Sequence, residues 1–159
     1  MDKITFINNQ APSLNATNLN QLQDNVESAI NSVSSSIQSS VYEANTYSTT
    51  EKRIGTWIND KPIYRKVIDF GNLPNNNTKR VNHNISNMDR VTKLTGIVQM
   101  GSGATSGLSW GSLPLVYSGS EYTYNTTLFC NKTEIVCRTA QDRSEFSAYV
   151  IIEYTKTTD

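Results

Sequence analysis

The stretch that decides the fold runs from Ala16 to Val41 and reads ATNLNQLQDNVESAINSVSSSIQSSV. Its apolar residues recur at steps of four, four, three, four and four, at Leu22, Val26, Ile30, Val33, Ile37 and Val41. This spacing places them in one stripe along an α-helix. The repeat of 11 residues, for example from Ile30 to Val41, matches three turns and lies close to the natural pitch of the helix. Nearly all other positions are polar, so the sequence predicts a helix that is apolar on one face only.

This narrow stripe needs an apolar surface along its whole length. No other part of the chain reads as a matching long helix, so the simplest cover is the same helix of another copy. The serines in the second half are weak helix formers, and such a helix alone is marginal in water. We therefore interpret the six apolar residues as an oligomer interface. The alternative is a single amphipathic helix packed on its own domain.

The composition favours a fibrous or surface-exposed β protein over a cytosolic enzyme. Of the 159 residues, 36% are hydrophobic and 18% are charged, with a formal net charge of zero. The mean hydropathy is −0.47, and the polarity comes from uncharged Asn, Ser and Thr, whereas disordered chains usually carry charge. Because no basic excess is present to hold a phosphate backbone, we do not expect nucleic acid as a partner.

Targeting signals are not recognisable in the sequence. No apolar run reaches membrane-spanning length, and the N-terminus lacks the charged and apolar regions of a signal peptide. We expect a soluble protein that is neither inserted in a membrane nor exported by the standard route. The two cysteines, Cys130 and Cys137, do not make a disulfide framework.

The pattern of apolar residues divides the chain into three segments. Residues 1–15 hold a short candidate strand at residues 3–7, which either docks onto another protein by edge addition or is a frayed terminus. Residues 16–45 form the helix. Residues 46–159 form a β domain, because the apolar period becomes two from Ile54 onward.

The β domain is predicted to contain several short strands. They are placed at residues 54–58, 63–70, 81–85, 91–100, 113–117 and 145–154, with a hairpin at residues 127–139. Residues 63–70 carry apolar groups on both faces, which suits either a central strand or a subunit contact. Residues 101–111 are predicted to be a Gly/Ser loop. Together the strands and turns predict an antiparallel β-sandwich, jelly-roll-like, or a barrel.

The register of the hairpin follows from a two-residue turn at Lys132 and Thr133. This turn sets Cys130 opposite Ile135 and places both cysteines on one face as small core residues. We expect these thiols to be free; the alternative is a disulfide between them. In the last strand, one face carries Phe146, Ala148, Val150, Ile152 and Tyr154.

Candidate catalytic or metal-binding groups are sparse. The single histidine, His83, has no acidic residue or cysteine at ligand spacing, and its polar neighbours predict a surface position. The carboxylates are scattered over different elements, whereas a glycosidase needs two of them close together across a cleft. We expect no enzyme, no cofactor and no metal.

One stretch has the composition of a binding surface. Residues 117–124 read YSGSEYTY, and Tyr117, Tyr122 and Tyr124 offer rigid amphipathic rings beside small, adaptable Ser and Gly. Trp110 lies upstream and is grouped with them as a candidate receptor-binding set. The alternative is ordinary tyrosines at the rim of a sheet.

Three segments resemble virion appendage proteins of phages that infect Gram-positive hosts. The first is FINNQAPSLNATNLN at residues 6–20, followed by Asp24 to Glu27, and it resembles the N-terminal anchor that precedes a trimeric helix in tail, baseplate or head fibres. The second is YSTTEKRIGTWINDKPIYRK at residues 47–66, which is similar to the start of a β domain of such fibres. The third covers residues 142–149 and 152–158 and resembles that domain's last strand.

The resemblance implies a homotrimeric fibre or spike of the virion, assembled in the host cytoplasm. Residues 1–15 would bind other virion proteins, the helix would be the trimerisation stalk, and the β domain would bind host cell-wall polysaccharide or teichoic acid. The competing readings are a structural or capsid-decorating head fibre without a receptor, and a cell-wall glycan depolymerase domain.

Overall fold

A computed structural model of the protein describes residues 16–101, 109–116 and 125–158. Within these ranges the chain forms one helix and eight strands. In chain order they are α1 (Ala16–Asn45), β1 (Lys52–Thr56), β2 (Pro62–Asn72), β3 (Thr78–Asn82), β4 (Met88–Gln99), β5 (Trp110–Leu113), β6 (Thr126–Cys130), β7 (Glu134–Thr139) and β8 (Ser147–Lys156). The strands make two antiparallel sheets, so the predicted class, mainly β with an N-terminal helix, is confirmed. The chain divides into two compact units, one ending at Glu43 and the other, which we call the β unit, beginning at Ala44.

Helix α1 spans 30 residues and contains the whole predicted stripe. Several serine hydroxyls donate to a backbone carbonyl one turn earlier: Ser35 to Asn31, Ser36 to Ser32 and Ser40 to Ser36, each at 2.9 Å. These bonds satisfy the hydroxyls within the helix, although serine is a weak helix former. No helix among the described residues is both long and apolar enough to cross a lipid bilayer.

The larger sheet has the strand order β1-β2-β8-β4-β5. The alternation predicted for the last strand is confirmed, because Phe146, Ala148, Val150, Ile152 and Tyr154 are each at most 5% exposed. Strand β8 can bury a full row of side chains since it lies between β2 and β4. This row of apolar side chains therefore forms the centre of the core-facing side of the larger sheet.

Strand β2 lies between β1 and β8, and its two faces differ. Ile68 and Phe70 point into the core and are 6% and 2% exposed. Val67 lies on the opposite face and is only partly buried. The two-sided apolar pattern of this strand thus combines one core face with one face that lies outside the core.

The smaller sheet has the strand order β3-β7-β6. The hairpin register is confirmed, since Leu128 pairs with Cys137 and Cys130 pairs with Ile135. Both thiols are free. Cys137 and Ile135 have no exposed surface, and they join the same apolar core as Val98, Val150 and Ile152 of the larger sheet. One core therefore serves both sheets.

The prediction of a surface position for His83 is wrong, because this side chain is 1% exposed. Its Nδ1 accepts the N–H of Ile85 at 3.1 Å, and its Nε2 lies 3.2 Å from the carbonyl oxygen of Asn131. Both ring nitrogens therefore have partners when Nε2 carries the proton. The polar neighbours are misleading because β3 already ends at Asn82 and the chain turns at Asn84, where φ is 51°.

Two predicted element boundaries also need correction. Trp110 was predicted within a Gly/Ser loop, but it begins β5 and pairs with Gln99. The strand predicted at residues 113–117 is shifted, because β5 ends at Leu113 and Pro114 follows it. Strand β5 is an edge strand, as the proline predicts, since proline has no N–H to donate to a neighbouring strand.

Candidate functional site

The apolar stripe of helix α1 is the first candidate site. Its six predicted residues are all solvent-exposed, by 45% to 59%: Leu22, Val26, Ile30, Val33, Ile37 and Val41. No residue of the described helix is buried. A contiguous row of large apolar side chains on a soluble protein commonly marks an interaction surface. The stripe therefore offers a long, narrow face that a second helix can cover.

Leu19 belongs to the same stripe, although the sequence-based set omitted it. It is 49% exposed and precedes Leu22 by three residues, the same step that separates Ile30 from Val33. With Leu19 included, the stripe contains two complete repeats, Leu19 to Ile30 and Ile30 to Val41. An 11-residue repeat has slightly more residues per turn than an ideal helix, so associated helices would coil gently to the right. The recurrence of the three-four-four spacing was the signal that could have identified Leu19.

A shallow groove runs beside the C-terminal half of the stripe. It is lined by Ser32, Val33, Ser36, Ile37, Ser40 and Val41. The hydroxyls of Ser36 and Ser40 already donate to carbonyls of their own helix. Another chain can therefore cover these serines without leaving a buried donor unpaired. The small serine side chains also allow a neighbouring backbone to approach closely.

The charges of α1 are few and lie off the stripe. The helix contains Asp24, Glu27 and Glu43 and no lysine, arginine or histidine. Gln23 donates to the carboxylate of Glu27 at 3.1 Å, one turn further along. Since the stripe itself is uncharged, helix association would not bury an ionised group, and apolar packing would dominate it.

The candidate receptor-binding set is only partly described by the structure. Trp110 lies at the start of the edge strand β5 and is 63% exposed. Tyr117, Tyr122 and Tyr124 lie outside the described residues. An exposed tryptophan on a sheet edge can stack on a sugar ring or another flat apolar surface, so Trp110 remains the described candidate for ligand contact.

The segment between α1 and β1 is tied to the larger sheet by contacts of Tyr47, Ser48 and Glu51. The carbonyl of Ser48 accepts the N–H of Val67 at 2.8 Å. The guanidinium of Arg65 lies 4.7 Å from the centre of the Tyr47 ring, and its Nη2 lies 3.0 Å from the Glu153 carboxylate. These contacts fix the first residues of the β unit against β2.

Glu51 provides the third contact. Its carboxylate accepts the hydroxyl of Tyr154 and the ammonium of Lys156, the latter at 2.6 Å. Burial raises the pKa of the Tyr154 hydroxyl, and the adjacent Glu51 carboxylate raises it further. Tyr154 therefore stays protonated and keeps donating to Glu51. Because Tyr154 has no exposed surface, this bond connects the segment to the core.

Two carboxylates of the β unit lie in ion pairs, and one of its thiols is fully buried. Glu134 pairs with Arg80 at 3.0 Å in the smaller sheet. Glu153 pairs with Arg65 at 3.0 Å in the larger sheet. Burial raises the pKa of Cys137 to about 11, which keeps its thiol protonated. Within residues 16–101, 109–116 and 125–158, no three His, Cys, Asp or Glu side chains cluster as metal ligands would.

Comparisons with other proteins identify no relatives of this chain. No known protein family matches it, and neither a curated protein nor a solved structure is significantly similar to it.

Proposed function

We propose that this chain is a structural protein of a phage virion, in which three copies form a fibre or spike that contacts the host surface. Helix α1 would be the trimerisation stalk, and residues 1–15 would bind other virion proteins. The two sheets of the β unit would form a jelly-roll-like sandwich that carries the receptor-binding surface. The resemblance of residues 6–20 and 47–66 to phage fibre proteins supports the virion assignment.

The observation that carries the proposal is the exposure of the stripe. Seven apolar side chains follow the steps three, four, four, three, four and four along α1, and each keeps 45% to 59% of its surface exposed. Burying a Val, Leu or Ile side chain contributes about 1.5–3 kcal/mol, so helix association would stabilise both the helix and the oligomer. Five of the seven residues are Val or Ile, and in heptad coiled coils Ile at both core positions shifts the preference from two helices to three or four.

A trimer suits a protein that binds repeated sugars on a cell wall. When three binding surfaces are linked, the second and third contacts become intramolecular, and the overall affinity rises by about 10²–10⁴-fold over one contact. Each individual site can then be weak and rely on a few aromatic rings. Trp110 is one such ring in the described part of the β unit.

The test is binding of the purified full-length protein to cell walls isolated from Gram-positive bacteria, in parallel with the variant Trp110→Ala. We expect the wild-type protein to sediment with the walls of at least one bacterial strain, and Trp110→Ala to lose roughly tenfold or more in affinity, as is common when an aromatic anchor of an interface is truncated. Phe129→Ala is the matched control, since Phe129 is also exposed, at 57% against 63% for Trp110, but lies on β6 of the other sheet.

The outcomes separate the proposed functions. Equal binding by Trp110→Ala and the wild-type protein would contradict the role of Trp110. A trimer that binds no wall glycan but is incorporated into virions would favour a structural or capsid-decorating fibre. Release of soluble sugars from the walls would instead indicate a depolymerase.

A further inference from the structure

The outer face of the larger sheet, the side away from the core, carries a compact apolar patch. It consists of Val67 on β2, Ile97 on β4, and Tyr149 and Ile151 on β8. Val67 pairs with Ile151, and Ile97 pairs with Tyr149. Since Tyr149 and Ile151 are two residues apart, all four side chains lie on the same face. We call this set the outer-face patch.

The patch is more apolar than the folding of the β unit requires. Ile97 is 51% exposed and Tyr149 is 55% exposed, and Val67 and Ile151 are partly buried. The opposite face of the same three strands already supplies the core, through Ile68, Val98 and Val150. An antiparallel sheet that faces water on one side usually alternates apolar and polar residues. The outer-face patch departs from that alternation at the centre of the sheet. Trp110 lies on the same face, because it pairs with Gln99, two residues after Ile97, but it belongs to the edge strand β5, at the opposite edge of the sheet from β1.

The chain that leaves helix α1 is attached at the border of this patch. Ser48 accepts the N–H of Val67, which is itself a patch residue. Tyr47 covers Arg65, which pairs with Glu153 and lies on the same face as Val67, two residues before it. The chain that follows α1 therefore reaches the larger sheet beside the patch.

Building on the proposed trimer, we propose that the outer-face patch is a second self-association surface, on which the β units of neighbouring copies pack against one another. Ser48 follows Asn45 by three residues, a path of at most about 10 Å. Packed helices lie about 8–10 Å apart. Three helices in contact would hold three β units close together, each with its outer-face patch next to the point where the chain from the helix is attached.

The size of the patch explains why the stalk is needed for this contact. Four side chains make an area well below the roughly 1,000 Å² expected of a stable interface between free proteins. Tethering by the stalk raises the local concentration of β units to about the millimolar range, at which a small apolar contact is occupied. The partner is thus another copy of this chain, and the β units should not associate without the stalk.

The test uses full-length protein with the photo-cross-linker p-benzoylphenylalanine in place of Tyr149. The matched control carries it in place of Phe129, which is 57% exposed against 55% for Tyr149 but belongs to the smaller sheet. We expect covalent dimers and trimers at position 149 in at least about fivefold excess over position 129, because neighbours within one assembly are held at high local concentration. Adding Ile97→Lys should lower the yield at position 149 while the molecular mass of the assembly stays unchanged.

The mass of the same samples separates the two proposals. An oligomer in which positions 149 and 129 cross-link equally would overturn the second surface and leave the stalk in place. A monomeric wild-type protein would overturn the trimer and this inference together. The same cross-linker can be placed in the helix variant Val26→Asp, Ile30→Asp, Val33→Asp. Cross-links that persist at position 149 in this variant would show that the β units associate without the helix, and would overturn the claim that their contact needs the tether.

Discussion

The backbone carbonyl of Ser48 accepts a hydrogen bond of 2.8 Å from the N–H of Val67. Ser48 lies only three residues after the end of α1 at Asn45, whereas Val67 lies in the middle of β2. This bond, together with the contacts of Tyr47 and Glu51, attaches the chain to the larger sheet almost immediately after the helix ends. A stalk that brings helices together would therefore also bring the β units together.

Charged residues on the stripe should prevent α1 from associating with the helices of other copies. The variant Val26→Asp, Ile30→Asp, Val33→Asp would put unpaired carboxylates into the helix contact, at a cost of several kcal/mol for each ion that is buried. We expect a monomer by light scattering. The control Ser28→Asp, Ser35→Asp, Ser39→Asp adds the same charge to the opposite side of the helix, and it should keep the wild-type mass. Equal masses for the two variants would contradict the stripe as the interface.

Removing the Glu51 carboxylate should destabilise the β unit. Glu51→Ala leaves the buried hydroxyl of Tyr154 and the ammonium of Lys156 without their acceptor, which should cost about 1–3 kcal/mol of unfolding free energy. Asp89→Ala is the control, because the Lys61–Asp89 pair is exposed at the surface and such pairs contribute about 0–1 kcal/mol. Urea unfolding at one protein concentration measures both variants. If both variants lose the same unfolding free energy, Glu51 contributes no more than an ordinary surface charge.

The stability of the β unit should fall as the pH is lowered through the range of histidine titration. Burial lowers the pKa of His83 below its ordinary value of 6.5; the hydrogen bond to Asn131 opposes this shift and the charge of Lys66 adds to it. The unfolded chain therefore binds a proton at a higher pH than the folded one does. The stabilising effect is complete above about pH 7 and is lost progressively below it, down to the pKa of the folded state.

This pH dependence can be measured by urea unfolding between about pH 7.5 and about pH 5 at constant protein concentration. His83→Gln removes the only histidine of the chain and should abolish the slope in that range, even though the variant is less stable throughout. If the variant keeps the slope of the wild-type protein, His83 is not its source.

The two cysteines should differ strongly in reactivity. Cys137 has no exposed surface, and its pKa is raised to about 11, so alkylation at about pH 8 should be at least 100-fold slower than in the unfolded chain. Cys130 is partly exposed, and burial raises its pKa less severely. Mass spectrometry should find label on Cys130 alone in the native protein, and on both cysteines in denaturant. Native labelling of the Cys130→Ser variant would contradict the burial of Cys137.

Local patterns in the sequence predicted much of the fold. The helix and its stripe follow from the spacing of Val26, Ile30 and Val33, and the buried face of β8 follows from strict alternation. The hairpin register was predictable because a two-residue turn fixes which residues face each other. Leu19 was missed although the same spacing rule applies to it.

Features that depend on distant residues could not be predicted in this way. His83 is buried because Asn131, 48 positions further along the chain, offers it a carbonyl. Trp110 is in a strand because it pairs with Gln99 of β4, although the Gly/Ser-rich sequence before it favours a loop. The outer-face patch appears only when β2, β8 and β4 are known to be neighbours, an order that the sequence does not reveal.

The mass of the purified full-length protein in solution tests the central claim most directly. Analytical ultracentrifugation at micromolar concentration should give about three times the chain mass of 17.7 kDa. The proposed trimer would bury the exposed stripe of α1, and this burial would stabilise the assembly. A mass of 17.7 kDa at all concentrations would contradict the stalk, and with it the trimeric fibre and the second self-association surface.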